Sequence, residues 1–220
     1  ITTIENSNLN FIENMQIPAS LKELKKFWNA NLKHLKQILI SPLNQNFLLI
    51  NDQYLLGKTD NSQNEFDTLL FAFRDIEEAI IPSYIKVIGS ESFENCSKLN
   101  SIQFAEDSQL ETIEDYAFYE CASLHSISFP DSLKYINNCA FSSTNIEELY
   151  ITSSLEKIDV ETLEEMHNLK NIIVSSQNKR YEFIDGKYLV YKSELNSIVF
   201  SLPDIEEVNI QSNISTISQD

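Results

Sequence analysis

Apolar residues return along this chain at a fixed spacing. Ile85, Ile88, Phe93, Cys96, Leu99, Ile102 and Phe104 are followed by Leu110, Ile113, Phe118, Cys121, Leu124, Ile127 and Phe129, each pair 25 residues apart. A third copy reads Leu133, Ile136, Phe141, Ile146, Leu149, Ile151, and a fourth reads Leu155, Ile158, Leu163, Met166, Leu169, Ile172, Val174, so the period settles at 22 to 25. Within a copy, Leu99-x-x-Ile102-x-Phe104 alternates apolar and polar residues, the period of a half-buried strand. Stacked copies then make a parallel sheet. Residues 115–120 combine an acidic residue suited to capping with an Ala-Phe pair, and read as a short helix or turn on the opposite face. One such copy cannot bury its apolar face alone, so the copies stack as a solenoid in which each packs on its neighbours.

The pattern also holds where it is diluted. Leu21, Leu24, Trp28, Leu32 and Leu35 recur at helical intervals, yet adding 134 carries Ile17 onto Ile151, Leu21 onto Leu155, Leu24 onto Ile158, Leu32 onto Met166, Leu35 onto Leu169, Ile38 onto Ile172 and Ile40 onto Val174. Residues 17–40 are therefore a diverged repeat, expected to carry a lengthened outer helix and preceded by a partial repeat through Ile1, Ile4, Leu9, Ile12 and Met15. Two breaks match each other. At the same offset Phe47, Leu49, Ile50, Asn51, Tyr54, Leu55 and Lys58 fall on Tyr181, Phe183, Ile184, Asp185, Tyr188, Leu189 and Lys192. The returning half aligns at 129, placing Phe71, Asp75, Ile76, Glu77 and Glu78 on Phe200, Asp204, Ile205, Glu206 and Glu207. The first break is five residues longer, with a polar tip at residues 60–64. Apolar runs around Asn51-Asp52 and Asp185-Gly186 read as β-hairpins, because these residues tolerate the positive φ of the turn.

The expected organisation is one α/β solenoid over 1–220: a parallel sheet on one face, short helices or turns on the other. Regular repeats cover 1–40 and 81–174, hairpin inserts at the edge cover 41–80 and 175–209, and a truncated repeat covers 210–220. The period and apolar spacing are those of leucine-rich repeats. More closely, Ile85-x-x-Ile88-Gly89-x-x-x-Phe93-x-x-Cys96-x-x-Leu99-x-x-Ile102-x-Phe104, with Ala117-Phe118-x-x-Cys121 and Phe129-Pro130 in the next copy, resembles the BspA-like leucine-rich repeat. So does Tyr181-x-x-x-Asp185-Gly186-x-Tyr188-Leu189 with Ile198-x-Phe200-x-x-Pro203, while the 17–40 repeat lacks the Ala-Phe and Cys positions. That family occurs in oral and gut bacteria and in mucosal protozoan parasites. The resemblance implies a non-enzymatic, surface-displayed or secreted protein that binds host matrix or other cells. The alternative is a cytoplasmic scaffold or regulator using the same surface.

Charge and chemistry narrow this further. The net charge of −17, from 33 acidic against 16 basic residues, disfavours nucleic acid and anionic membranes, which need clustered Lys and Arg. No apolar run approaches the length needed to span a bilayer. Cys96 and Cys121 share one repeat position and read as small core fillers; Cys139 does not, and the odd count argues against a disulfide framework. His34, His125 and His167 occupy different repeat positions, so no catalytic constellation, metal site or cofactor site is expected. The pairs Glu77-Glu78, Glu147-Glu148, Glu164-Glu165 and Glu206-Glu207 read as a solvated acidic face, calcium binding being the minor reading. Asn95-Cys96-Ser97 and Asn213-Ile214-Ser215 match the glycosylation sequon. The candidate binding residues are those that alternation turns out of the sheet: Gln37, Leu39, Glu78, Ile80, Ser101, Gln103, Ser126, Ser128, Glu148, Tyr150, Asn171, Ile173, Glu207 and Asn209. Tyr150 and Ile173 are the expected anchors for a protein ligand. Both ends expose a repeat face, so the chain is expected to continue past Asp220 or to dimerise through an open end.

Overall fold

The computed structural model describes residues 3–4, 11–30, 32–192, 197–203, 214 and 216–217. The first repeats carry β1 (Thr3–Ile4), β2 (Asn14–Ile17), β3 (Glu23–Leu24) and β4 (Gln37–Ile40). The first break carries β5 (Leu48–Ile50), β6 (Tyr54–Gly57) and β7 (Thr68–Ala72). Regular repeats follow with β8 (Glu78–Ile81), β9 (Val87–Ile88), β10 (Ser101–Phe104), β11 (Thr112–Ile113), β12 (Tyr135–Ile136), β13 (Glu148–Ile151), β14 (Lys157–Ile158) and β15 (Asn171–Val174). The second break carries β16 (Tyr181–Ile184), β17 (Tyr188–Tyr191) and β18 (Ser197–Ser201), with β19 (Thr216–Ile217) after it. The single helix among the described residues, α1 (Val160–Glu164), lies between β14 and β15.

Each regular repeat from 81 to 174, except the one through 126–129, has a long strand and a short one. The long strands pair in parallel as β2 with β4, β8 with β10 and β13 with β15, and bury alternate residues as the apolar spacing requires. The short strands β9, β11, β12 and β14 form a parallel ladder that β7, β6 and β5 extend to seven strands. Gly89, just after β9, is fixed by this join: a Cβ there would stand 2.9 Å from the Leu69 carbonyl oxygen. The strand expected at 126–129 is absent. Residues 125–130 form no strand, although Ile127 and Phe129 are buried on schedule. Asn145 N–H donates to the Leu124 carbonyl at 3.0 Å, so the segment is tied at its start and drifts out of ladder distance beyond it.

The side opposite the long strands is built of turns rather than helices. Glu91 and Asn95, Tyr116 and Glu120, Cys139 and Ser143 all have φ between 50° and 60°, and the expected outer helix in 17–40 is likewise replaced by turns around Phe27 at φ 62°. Left-handed residues four apart stop helix propagation. They also aim backbone N–H groups along the solenoid axis. Glu91, Phe93 and Asn95 donate to the carbonyls of Asp115, Ala117 and Tyr119 at 3.1, 2.8 and 2.8 Å, and Tyr116, Phe118 and Glu120 repeat the pattern onto Asn138, Ala140 and Ser142. Among the described residues only the fourth repeat is helical. There Glu161 stands where Cys139 does one repeat earlier and Thr162 where Ala140 does, and Thr162 Oγ1 accepts from Ala140 N–H at 3.1 Å and donates to the Asn137 carbonyl at 2.6 Å. Inside, Phe93, Phe118 and Phe141 stack with ring centroids 4.9 and 5.2 Å apart, and Cys96 and Cys121 are fully buried, as expected of core fillers.

The strands of the breaks pair antiparallel, and each set is buried on both faces. Leu55, Phe71 and Phe73 join Leu21, Trp28 and Leu32 in one core, whereas Tyr54, Leu56, Leu69 and Ala72 face the core of the regular repeats. The second set repeats this residue for residue. Leu189 and Phe200 close the regular core, and Tyr188, Val190 and Ile198 face away from it. Pairing registers match as well: Ile50 opposite Tyr54 and Ile184 opposite Tyr188, with a bulge at Leu55/Leu56 and at Leu189/Val190. An asparagine locks each set to the repeat before it. Asn178 Nδ2 donates to the carbonyls of Thr152 and Leu155 at 2.7 and 3.0 Å, while its Oδ1 accepts from the N–H groups of Arg180 and Tyr181. Asn44 makes the same four bonds, to Pro18, Leu21, Asn46 and Phe47.

Candidate protein-binding face

The parallel registers bring the outward residues of neighbouring long strands side by side. Gln16 lies against Leu39, Glu78 against Ser101, Ile80 against Gln103, Glu148 against Asn171 and Tyr150 against Ile173. Gln37, Gln103, Ser126, Ser128 and Glu148 are exposed, and Ser101 and Asn171 are half-buried. The large apolar members are open to solvent: Ile80 by 64%, Leu39 by 49%, Tyr150 by 44% and Ile173 by 42%. Glu207 and Asn209 lie outside the described residues, as do Asn213 and Ser215 of the second sequon and Ile1 and Leu9 of the first partial repeat. Gln16 belongs to this row although it was not expected there. Its signal is the 23-residue step from Gln16 to Leu39.

The face carries a recess beside Gln16 and Leu39 and another near Tyr150. Where the strand at 126–129 is missing, a cavity of about 450 Å³ opens, lined by His125, Ser126, Ser128, Glu147, Glu148 and Tyr150. Its carboxylates are held from the side. Lys170 Nζ donates to Glu147 at 2.8 Å and Asn171 Nδ2 to Glu148 at 2.8 Å, and the hydrogen bond and charge of Lys170 hold the Glu147 carboxyl below its usual range. His125 Nδ1 lies 2.8 Å from the Ser123 carbonyl, His167 Nε2 lies 3.6 Å from Glu165, and His34 stacks on Phe11. The three imidazoles thus serve separate repeats. Among the described residues no three His, Cys, Asp or Glu side chains are grouped to hold a metal ion, and no helix is long and apolar enough to cross a membrane.

Residues 64–186 match the BspA type leucine-rich repeat region, in six copies. The chain belongs to this family. BspA-type repeats are protein-binding scaffolds in general and are generally not enzymes. The fold is shared with a leucine-rich repeat protein of Eubacterium ventriosum, 20% identical over 75% of this chain and 43% of that one with a TM-score of 0.58. A leucine-rich repeat protein of Bacteroides capillosus is 22% identical over 60% of this chain and 99% of that one, with a TM-score of 0.51. The T. pallidum leucine-rich repeat protein is 26% identical over 47% of this chain and 48% of that one, with a TM-score of 0.43. The chain spans less than half the length of the E. ventriosum and T. pallidum proteins. No protein of curated function matches.

Proposed function

We propose that this BspA-type chain is a cell-surface adhesion scaffold that holds a host matrix protein, or a protein of another cell, on the face of its long strands. One observation carries the reading. Tyr150 and Ile173 lie directly opposite each other in register and both are open to solvent, where a ring and an aliphatic side chain make the kind of anchor that dominates protein interfaces. Gln37, Gln103, Ser126, Ser128, Glu148 and Asn171 extend the same face on either side and supply a polar rim, with Leu39 a further apolar contact. Family membership supports a protein ligand.

Antibody labelling of intact and permeabilised source cells tests the location: signal on intact cells is expected, and signal only after permeabilisation would overturn the surface role. Binding of immobilised matrix proteins then tests the face. Changing Tyr150 and Ile173 together to Ser is expected to weaken capture by about a hundredfold, roughly two anchors' worth, while circular dichroism stays unchanged. Undiminished capture would refute the face.

A further inference from the structure

The cavity least like the rest of this acidic chain lies beside the first antiparallel set. It holds about 440 Å³, within the usual size of a small-ligand pocket, and Lys33, Lys36, Arg74 and Lys98 line it against two carboxylates, Asp52 and Asp75. Four of the chain's 16 basic residues therefore converge at one point of a molecule carrying a net −17. They arrive from separate places. Lys33 and Lys36 precede β4, Arg74 and Asp75 follow β7, Asp52 caps the β5–β6 turn, and Lys98 precedes β10.

Arg74 is the unusual member. It is only 9% exposed, and its guanidinium donates to the carbonyls of Ala72, Ser92 and Glu91 at 3.1, 2.8 and 3.2 Å while lying 4.3 Å above the Phe71 ring. Among the described residues no carboxylate comes within ion-pair distance of it, and its Nε has no partner. A buried cation with no ion pair, offset only partly by the nearby Glu91 carboxyl, keeps a charge that a bound anion would offset further. Lys98 makes no hydrogen bond or ion pair among the described residues. Lys36 and Lys33 lean on Glu13 and Glu120 at 2.8 and 3.6 Å, but those pairs are largely exposed and hold their lysines weakly.

The chain contains its own control. The second antiparallel set repeats the wall, the turn, the asparagine lock and the Lys36–Glu13 pair, as Lys170–Glu147, yet the positions matching Lys33, Asp52 and Arg74 are His167, Gly186 and Pro203. The architecture alone does not require these charges. We infer that the cavity binds an oxyanion group, a sulfate or phosphate ester, with ammonium and guanidinium groups gathered around it.

The test titrates the 220-residue chain at low ionic strength with inorganic sulfate, inorganic phosphate, glucosamine 6-sulfate and O-phosphoserine, followed by amide chemical shifts. Saturable shifts at Lys98 and Arg74 are expected, and the tighter of the two esters names the source. Arg74 is left in place because its loss endangers folding. Lys36→Gln with Lys98→Gln is expected to weaken binding about tenfold or more, the scale of losing charge-assisted bonds. Lys22→Gln with Lys134→Gln, which removes the same charge elsewhere, is expected to leave binding within twofold, on the order of screened surface electrostatics. Equal weakening by both double variants, or no saturable shift with any probe, would overturn the site.

Discussion

In the first antiparallel set Asn44 is half-exposed and the hairpin tip is Asn51-Asp52; in the second Asn178 is 2% exposed and the tip is Asp185-Gly186. The apolar residues of the two sets correspond position by position, as do their registers and bulges. Around the first lie Lys33, Arg74, Glu91 and Lys98; the second has His167 and Pro203 where Lys33 and Arg74 stand. The shared part is what stacking on two sides demands. The unshared part is free to vary, and that is where specific chemistry is to be sought.

Removing a shared apolar residue gives the largest expected effect. Phe71→Ala should cost about 3 to 5 kcal/mol, and Phe200→Ala the lower end of that range because Phe200 is slightly exposed. Urea unfolding checks both, and Trp28, the chain's one tryptophan with its ring 6.0 Å from Phe71, reports on the first core. A negligible cost at either site would break the correspondence. The asparagine locks come next. Asn178→Ala strands four backbone groups in a buried site and should cost about 2 to 3 kcal/mol, against about 1 kcal/mol for Asn44→Ala, where water replaces the lost bonds.

The turns differ by less. Gly186 has φ +64°, so Gly186→Ala should cost about 1 kcal/mol, whereas Asp52→Gly in the first turn, at φ 52°, should be neutral or slightly stabilising. Glu91 gives an effect of a different kind, visible only as pH changes. Burial, reinforced by repulsion from Glu94 and opposed by Arg74, pushes its carboxyl up to about 7. The folded chain then keeps a proton that the unfolded chain releases above about 4.5, so the stabilisation is present at low pH and is lost as pH rises through about 7. Lowering pH from 8 to 5 should therefore raise the urea midpoint of the natural chain more than that of Glu91→Gln. Parallel curves would remove Glu91 as the source.

Much of this was legible in the apolar spacing. The 25-residue step fixed which of Phe93, Cys96, Phe118 and Cys121 are buried, and the offsets of 134 and 129 reappear in the strand registers. The left-handed conformation of the turns was not legible. Glu91, Tyr116 and Glu120 adopt left-handed backbone without the Gly or Asn that usually announces it, because the compensation is a hydrogen bond to the next repeat rather than a local preference. For the same reason an α/β reading overstates the helix, which among the described residues survives only in α1, where Glu161 takes the place of left-handed Cys139. The gap at 126–129 was hidden too, since Ile127 and Phe129 keep the alternation even where the backbone leaves the ladder. On the face, alternation located Tyr150 and Ile173, but the cavity between Ser126 and Glu148 depends on that gap.

The first antiparallel sheet has no face of its own to give to water. Leu55 and Phe71 are committed to the core on one side, and Tyr54, Leu56 and Leu69, on the same strands, to the core on the other. In a nearest-neighbour description of repeat unfolding such a sheet is a strong coupling term between the segments it separates. Fraying that begins in the first repeats would uncover the back of the wall on which the later repeats depend, so heat is expected to melt both cores in a single transition.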